Sequence, residues 1–331
     1  MKSPQLLLSE EACRDLSQCP VLNLSLIVPV YNEEDTVDIF VDRVSLMFAD
    51  ASDLQLELIF VNDGSCDDTL TRLLSRQRQD GRIRIVDLAR HFGKESALSA
   101  GLDAATGRVL VPIDVDLQDP PELIFEMITH WRQGFDVVIA RRSHRGSDSW
   151  TKRQSATWFY RIHNWIAEPK LPENAGDFRL MDRMVVDALG DLPESRRFMK
   201  GLFAWVGFRT TFIDYVRPPR ISGTSKFNGW RLWNLALEGL TSFSTAPLRI
   251  WTYLGGVVAV ASLLYGAFIA MQVLVHGVDL PGYASVFVAV TFLGGLQLIG
   301  IGIVGEYLGR AYLESKRRPC YLVRRIYDSG G

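Results

Sequence analysis

The sequence predicts an α/β domain on a mainly parallel sheet, followed by an interfacial helix and a pair of membrane-spanning helices. Three patterns carry that expectation. Short β-branched runs alternate with helical stretches between residues 24 and 140, as in consecutive βαβ units. Each run closes in a polar cluster, and in such sheets ligands bind beyond the carboxyl ends of the strands. Finally, residues 250–275 and 283–304 carry no charge, and about 20 apolar residues suffice for a helix to cross a bilayer.

Taken in order, residues 1–22 lack a charged-then-apolar leader pattern, since Leu6 to Leu8 is followed at once by Ser9, Glu10 and Glu11, and they read as a loosely ordered extension. Residues 24–30 form the first strand, ended by Tyr31, Asn32, Glu33 and Glu34, with a helix to about Phe48. The second strand, 56–61, runs into Asn62-Asp63-Gly64-Ser65, and Asp67 and Asp68 can cap a helix through Arg78. Residues 83–88 are the third strand, leading to a polar stretch at 90–95 and a helix of small residues ending near Gly107. Residues 109–113 and 136–140 are the fourth and fifth strands. Between them Pro120 and Pro121 stop the extended chain and suit the first turn of a helix over 122–133.

The fourth strand ends in V-P-I-D-V-D-L-Q-D-P-P, residues 111–121. If extended geometry persists, Asp114 and Asp116 leave one face and repel unless a positive charge lies between them. A hard cation, Mg²⁺ or Mn²⁺, fits that need, because it takes oxygen ligands and shares them with substrate phosphates. A solvated acidic turn is the plainer alternative. Neither G-x-G-x-x-G after the first strand nor G-x-x-x-x-G-K-[ST] occurs, which weighs against a dinucleotide fold and a P-loop. Acidic and amide groups at the strand ends suit a nucleoside's base and ribose, leaving a diphosphate to a metal and to basic residues.

Beyond the fifth strand the chain turns basic, with Arg141, Arg142, Arg145, Lys152, Arg153 and Arg161. Arg142 and Arg145 are the better candidates for a lipid phosphate, since a guanidinium presents a fork of donors; a solvated rim accounts for Lys152, Arg153 and Arg161. Gly176-Asp177-Phe178-Arg179-Leu180 places an acid and a base around a short apolar segment, with helix capping by Asp177 as the alternative. Residues 217–226, R-P-P-R-I-S-G-T-S-K, form a loop able to close over a diphosphate or to lie on an anionic membrane. Residues 227–248, with Trp230 and Trp233 among leucines, read as a helix in the membrane interface or packed on the domain.

A net charge of -2 gives no general case for nucleic acid. Cysteines 13, 19, 66 and 320 lack metal-site spacing and read as free thiols, and the histidines are scattered. Arg249 precedes the first span; Arg310, Lys316, Arg317, Arg318, Arg324 and Arg325 follow the second, and residues 276–282 between them hold no Lys or Arg. The positive-inside bias therefore puts the large N-terminal region and the tail in the cytoplasm. Gly305 and Gly309 have a helix-association spacing that admits a homo-oligomer, although they fall at the membrane edge.

Taken together, these residues resemble the family 2 glycosyltransferases of GT-A fold, in the membrane-anchored branch that glycosylates polyprenyl phosphates. The segments are V-P-V-Y-N-E-E (28–34), N-D-G-S-C-D-D-T (62–69), F-G-K-E (92–95), D-V-D-L-Q-D-P-P-E (114–122), G-D-F-R-L (176–180), K-G-L-F-A-W-V-G-F (200–208), G-T-S-K-F (223–227), G-E-Y-L-G-R (305–310) and R-P-C-Y (318–321). The last four, with the two spans, look most like bacterial bactoprenol glucosyltransferases, with dolichol-phosphate mannose synthases as relatives. The resemblance implies a GT-A domain over 23–224, an interfacial helix over 225–248, a hairpin over 249–306 and a basic cytoplasmic tail over 307–331, in a bacterial inner membrane. It implies that Pro29, Tyr31, Glu33, Asp63 and Asp114 hold the nucleoside and that Asp116 and Gln118 ligate Mg²⁺ or Mn²⁺ on the donor diphosphate. Arg217, Arg220, Ser225 and Lys226 would steady the phosphates, Arg142 and Arg145 would take the lipid phosphate, and Asp177 matches the usual base. The expected reaction moves a hexose, glucose from UDP-glucose, onto undecaprenyl phosphate; GDP-mannose or UDP-aminoarabinose is the alternative donor, and an idle membrane scaffold is the rival from another class. Two residues depart from the pattern: His91, where relatives often have Asn, and Val115, where Ala is common.

Overall fold

The structure, a computed structural model, describes residues 21–143, 175–194, 197–216, 246–276 and 282–328. The chain divides into two compact units, one carrying the sheet and the other the two long apolar helices. In the first unit β1 (Leu22–Val30), α1 (Val37–Met47), β2 (Leu54–Asn62), α2 (Thr69–Gln79), β3 (Ile83–Leu88), α3 (Lys94–Ala104), β4 (Val109–Pro112), α4 (Leu123–Arg132) and β5 (Val137–Arg142) follow one another. Then come β6 (Ala175–Asp182), α5 (Arg183–Gly190), α6 (Met199–Trp205) and β7 (Thr210–Tyr215), with β8 (Val323–Tyr327) returning from the end of the chain.

The eight strands lie in the order β7-β5-β6-β4-β1-β2-β3-β8. Parallel pairing joins β1 to β2 and β4, β2 to β3, and β5 to β7, while β6 and β8 run antiparallel to their neighbours. The central strands are apolar on both faces because helices cover both. Leu24, Leu26 and Val28 of β1 join Phe40, Val44 and Phe60 in the main core. Ile27 points the other way, towards Gly101 of α3, where an added Cβ would lie 2.3 Å from its Cγ2. From β1 the sheet grows to β2 and β3 on one side and to β4 on the other. The chain order switches direction there, so a crevice opens at the carboxyl ends of β1 and β4.

The five expected strands and the helices between them are present, with ends shifted by a few residues. Three further strands were not anticipated. Asp177 lies within β6 and caps no helix; Asp182 is the cap of α5, accepting from Met184 N at 3.0 Å. The basic stretch expected as a tail contributes β8, which zips onto β3 from Ile85↔Tyr327 to Leu88↔Val323. Its approach is pinned by Tyr321 Oη donating to Asp103 Oδ2 at 2.6 Å and by Ala89 N donating to Leu322 O at 2.9 Å.

The second unit contains α7 (Ala246–His276) and α8 (Tyr283–Ser315). Ile250–Ile269 and Phe292–Ser315 are long and apolar enough to cross a membrane. Leu264, Phe268 and Leu274 of α7 and Val290, Phe292 and Leu298 of α8 are exposed, whereas a core helix of a water-soluble protein would bury them. Gly300 lets the two helices touch: a Cβ there would stand 2.0 Å from Trp251 Nε1. The expected interfacial helix lies outside the described residues, apart from its last three, which open α7.

Candidate active site

Four strand-end loops converge at the crevice. Asn32, in the left-handed region at φ 54°, turns the chain after β1, a conformation asparagine tolerates better than most residues. That loop is braced to the one after β2. Asn32 N donates to Ser65 Oγ at 3.0 Å, Cys66 N to Asn32 Oδ1 at 2.9 Å, Glu33 N to Thr69 Oγ1 at 2.9 Å and Asp68 N to Glu34 Oε2 at 3.0 Å. The Glu33 carboxylate accepts from Thr36 Oγ1 at 2.8 Å. Pro29 and Tyr31 flank this turn.

Asp63 is only 2% exposed, and its carboxylate organises the next loop. Oδ1 accepts from Phe92 N at 2.7 Å and Oδ2 from Gly93 N at 2.9 Å, with His91 Nδ1 2.8 Å from Oδ2. Gly64, at φ 67°, makes room for that approach, since a Cβ would meet the Arg90 carbonyl carbon at 2.5 Å. The loop so held lays the His91 imidazole on the Tyr31 ring, centroids 4.1 Å apart and planes 26° from parallel. The departure at position 91 thus has a defined place, stacked on Tyr31.

After β4 the acidic run does not stay extended. Leu117 takes φ 53°, which a branched side chain rarely adopts without compensation, and it folds the run into a turn in which Gln118 N donates to Asp116 Oδ1 at 3.1 Å. The aspartates expected to share one cation are separated in role. Lys94, the first residue of α3, puts Nζ 2.7 Å from Asp114 Oδ1 and 2.9 Å from Asp177 Oδ2. Asp119 accepts from Tyr215 Oη of β7, which in turn receives Arg142 Nε at 3.4 Å. Pro29, Lys94, Asp114, Asp119, Asp177 and Phe178 line one small cleft.

Gln118 is 4% exposed, yet its Oε1 has no hydrogen-bond partner among the described residues, and neither has buried Asp177 Oδ1. Buried acceptors left open are costly. Among the described residues no three His, Cys, Asp or Glu side chains gather as a closed metal cage. The Asp116 carboxylate, which accepts from Gln118 N, and the Gln118 amide oxygen are instead the oxygen donors that would fit a hard cation completed by ligands from a bound molecule.

The charges at the cleft are strongly coupled. Burial alone would raise the Asp177 carboxyl, but Lys94, Lys200 and Arg179 outweigh it and hold the group well below the usual carboxylate range. Burial would lower the Lys94 ammonium, and Asp177 and Asp114 together keep it far above an ordinary lysine. Glu95, next along α3, moves in the opposite sense: burial and the neighbouring Asp177 charge push it up to about 7, while it accepts from Met199 N at 3.2 Å. Burial brings Arg179 down to about 10, and burial together with Asp119 lifts the Tyr215 phenol to about 12.

Of the expected site residues, Pro29, Asp114 and Asp177 line the cleft, Tyr31, Glu33, Asp63, Asp116 and Gln118 lie in the loops that converge on it, and Arg142 reaches it from β5. The Arg142 Nη2 lies 3.7 Å from where a Cβ of Gly176 would stand. Arg145, Arg217, Arg220, Ser225 and Lys226 lie outside the described residues. Sequence reasoning gave no role to Lys94, Glu95 or Tyr215. A signal for Lys94 existed: a lysine opening a helix opposes the macrodipole, which calls for acidic partners elsewhere in the fold.

Residues 25–190 match the family described as Glycosyl transferase family 2, and residues 246–311 match the GtrB C-terminal hairpin. The chain is 50% identical over 305 residues to the prophage bactoprenol glucosyl transferase homolog of Escherichia coli strain K12, covering 92% of this chain and 99% of that one. It is 51% identical over 303 residues to the bactoprenol glucosyl transferase of Shigella phage SfV, covering 92% and 98%. Among solved structures, a glucosyl-3-phosphoglycerate synthase from Mycobacterium tuberculosis matches at 20% identity with a TM-score of 0.49, over 66% of this chain and 78% of that one. The hairpin match and the exposed apolar helices associate the chain with a membrane. The chain belongs to glycosyl transferase family 2: it is a glycosyltransferase of GT-A fold whose catalytic sheet is followed by a GtrB-type C-terminal hairpin.

Proposed function

We propose that this glycosyltransferase moves glucose from UDP-glucose onto a polyprenyl phosphate at the cytoplasmic face of a bacterial plasma membrane. The observation that carries the reading is likeness over nearly full length, hairpin included, to proteins named bactoprenol glucosyl transferases. The cytoplasmic orientation is supported by the basic residues outside both spans and their absence from residues 276–282.

In this reading Pro29, Tyr31, Glu33, Asp63 and Asp114 hold the nucleoside, with the His91–Tyr31 stack as its platform and Asp63 acting through the loop it organises. Asp116 and Gln118 would hold Mg²⁺ or Mn²⁺, which when bound supplies positive charge to the diphosphate. Arg217, Arg220, Ser225 and Lys226 would steady the same phosphates, and Arg142 and Arg145 would face the acceptor. A phosphate oxygen of the lipid attacks the anomeric carbon; the bond from that carbon to the UDP oxygen breaks, and its electron pair leaves with UDP. The sugar inverts. A phosphate monoester has a second pKa near ~6, so the nucleophile is largely deprotonated at neutral pH. Asp177, held ionised by Lys94, is a weak proton acceptor and serves to orient the cleft.

The test is a panel of radiolabelled UDP-glucose, GDP-mannose, UDP-N-acetylglucosamine and UDP-aminoarabinose with undecaprenyl phosphate and full-length protein. Label should enter the organic phase from UDP-glucose. Label from another donor alone would reassign the sugar, and equal transfer to water-soluble acceptors would overturn the lipid acceptor.

A further inference from the structure

We infer that Tyr215 is a positioning residue of the acceptor site, whose hydroxyl fixes the guanidinium of Arg142 and ties it to the turn carrying Asp116 and Gln118. The inference deepens the proposed function and rests on Arg142 facing the acceptor phosphate. Tyr215 closes β7 in register with Arg142 of the neighbouring β5, so the two side chains leave one face of the sheet. Main chain and ring are both held. The Tyr215 carbonyl accepts from Ser143 N at 2.9 Å and from Ser143 Oγ at 3.1 Å, and the ring meets Phe178 edge-on with centroids 6.4 Å apart.

The hydroxyl stands between a group that can only donate and one that can only accept. An arginine offers N–H donors and no acceptor, and an ionised carboxylate the reverse. Tyr215 Oη therefore accepts from Arg142 Nε at 3.4 Å and donates to Asp119 Oδ1, a direction the chemistry does not allow to reverse. A guanidinium is planar, so holding Nε sets where its other nitrogens point. Nη2 lies 3.7 Å from where a Cβ of Gly176 would stand, beside the backbone that leads into Asp177, and Asp119 and Asp177 both line the cleft. At the other end Asp119 directly follows Gln118, in the turn that Gln118 N closes on Asp116 Oδ1. One hydroxyl thus joins the arginine expected at the acceptor to the turn expected at the donor. Burial and Asp119 lift the phenol to about 12, so it remains a donor at neutral pH. Core packing accounts for the ring, which a phenylalanine would replace, but not for a buried hydroxyl shared by a cation and an acid.

The experiment uses full-length protein in nanodiscs, with Tyr215→Phe, Arg142→Ala and the double variant beside wild type. Undecaprenyl phosphate is varied at saturating UDP-glucose and Mn²⁺, and UDP affinity is measured separately by calorimetry. Tyr215→Phe keeps the ring against Phe178 and should raise the KM for the lipid phosphate about fivefold, the scale of one lost hydrogen bond, with UDP affinity within about twofold. Arg142→Ala should raise that KM further, and removing the hydroxyl in its background should then add less than about twofold, because the two groups act as one unit. An unchanged lipid KM in Tyr215→Phe, an equal effect with and without Arg142, or a loss of UDP affinity larger than the loss for the lipid overturns the inference. A wild-type lipid KM in Arg142→Ala also overturns it, since Tyr215 would have nothing to position. Failure of the underlying function is distinguishable, because wild type itself would then transfer no sugar to undecaprenyl phosphate, and the inference falls with it.

Discussion

The catalytic unit has a cleft at each end of its sheet, and the larger lies away from the residues proposed to take part in the reaction. At the amino ends of β1, β2 and β3 a cleft of about 500 Å³ is lined by Asn23, Glu57, Arg82, Arg84, Thr106 and Asp328, among others. Its acid is thoroughly used: Glu57 Oε2 accepts from Ser25 Oγ, from Thr106 N at 3.0 Å and from Thr106 Oγ1 at 3.1 Å. Arg84 donates from Nη1 to Ala104 O at 2.8 Å, and its buried Nε, which makes no hydrogen bond among the described residues, is ion-paired with Asp328 at 2.5 Å. At the carboxyl ends the cleft is smaller, yet Gln118 Oε1 and Asp177 Oδ1 are buried with no partner among the described residues, Leu117 is strained, and Glu95 and Asp177 are driven apart in acidity. Polar groups that satisfy one another hold a fold together; those left open or forced together mark where a ligand must complete the arrangement.

Substitutions at the two ends sharpen that contrast. The largest effect belongs to Asp116: Asp116→Ala should lower kcat by about 10²–10³-fold, the scale of losing one preorganised charge-stabilising group, with thermal stability little changed. Full activity in saturating Mn²⁺ would remove Asp116 from the site. Next, Glu57→Ala leaves Ser25 and Thr106 without their acceptor and should cost about 1–3 kcal/mol of stability, with kcat within twofold of wild type. A collapse of kcat at unchanged stability would show that the amino end takes part in the chemistry.

The smallest effect is a pH slope. Because the fold holds the Glu95 carboxyl at about 7 against an ordinary 4.5, the unfolded chain releases that proton first. Stability therefore falls as pH rises from about 4.5 to about 7 and is level above it. Glu95→Gln removes this contribution, so thermal melts at pH 5 and pH 8 should show the variant gaining on wild type at pH 8. Parallel profiles would mean that Glu95 titrates as an ordinary carboxylate.

The two ends also differ in how far they could be read from residues alone. β1 to β5 were legible because parallel strands covered on both faces must be continuously apolar, as in L-I-F-V at 58–61. The strands β6, β7 and β8 were not, because A-G-D-F-R-L-M-D, T-T-F-I-D-Y and V-R-R-I-Y mix charge into short runs, as antiparallel and edge strands tolerate. Asp114 and Asp116 announced themselves by following a buried strand at once, whereas Gln118 came through resemblance. Asp177 stood out beside Arg179 around a short apolar segment, but its role came only through resemblance. The Lys94 bridge depends on pairing residues 83 apart, and no local pattern encodes such a contact. His91 was noticed as a departure, but its stacking on Tyr31 exists only once Asp63 and Gly64 have drawn two loops together.

The central proposal is that Asp116 and Gln118 would hold a cation shared with the donor diphosphate. The direct measurement is transfer of labelled glucose to undecaprenyl phosphate by wild type after exhaustive chelation, followed by back-titration with Mn²⁺ or Mg²⁺. Transfer should be abolished by the chelator and restored by either ion in wild type, with Asp116→Ala unrestored. Full turnover in chelated buffer would contradict the account.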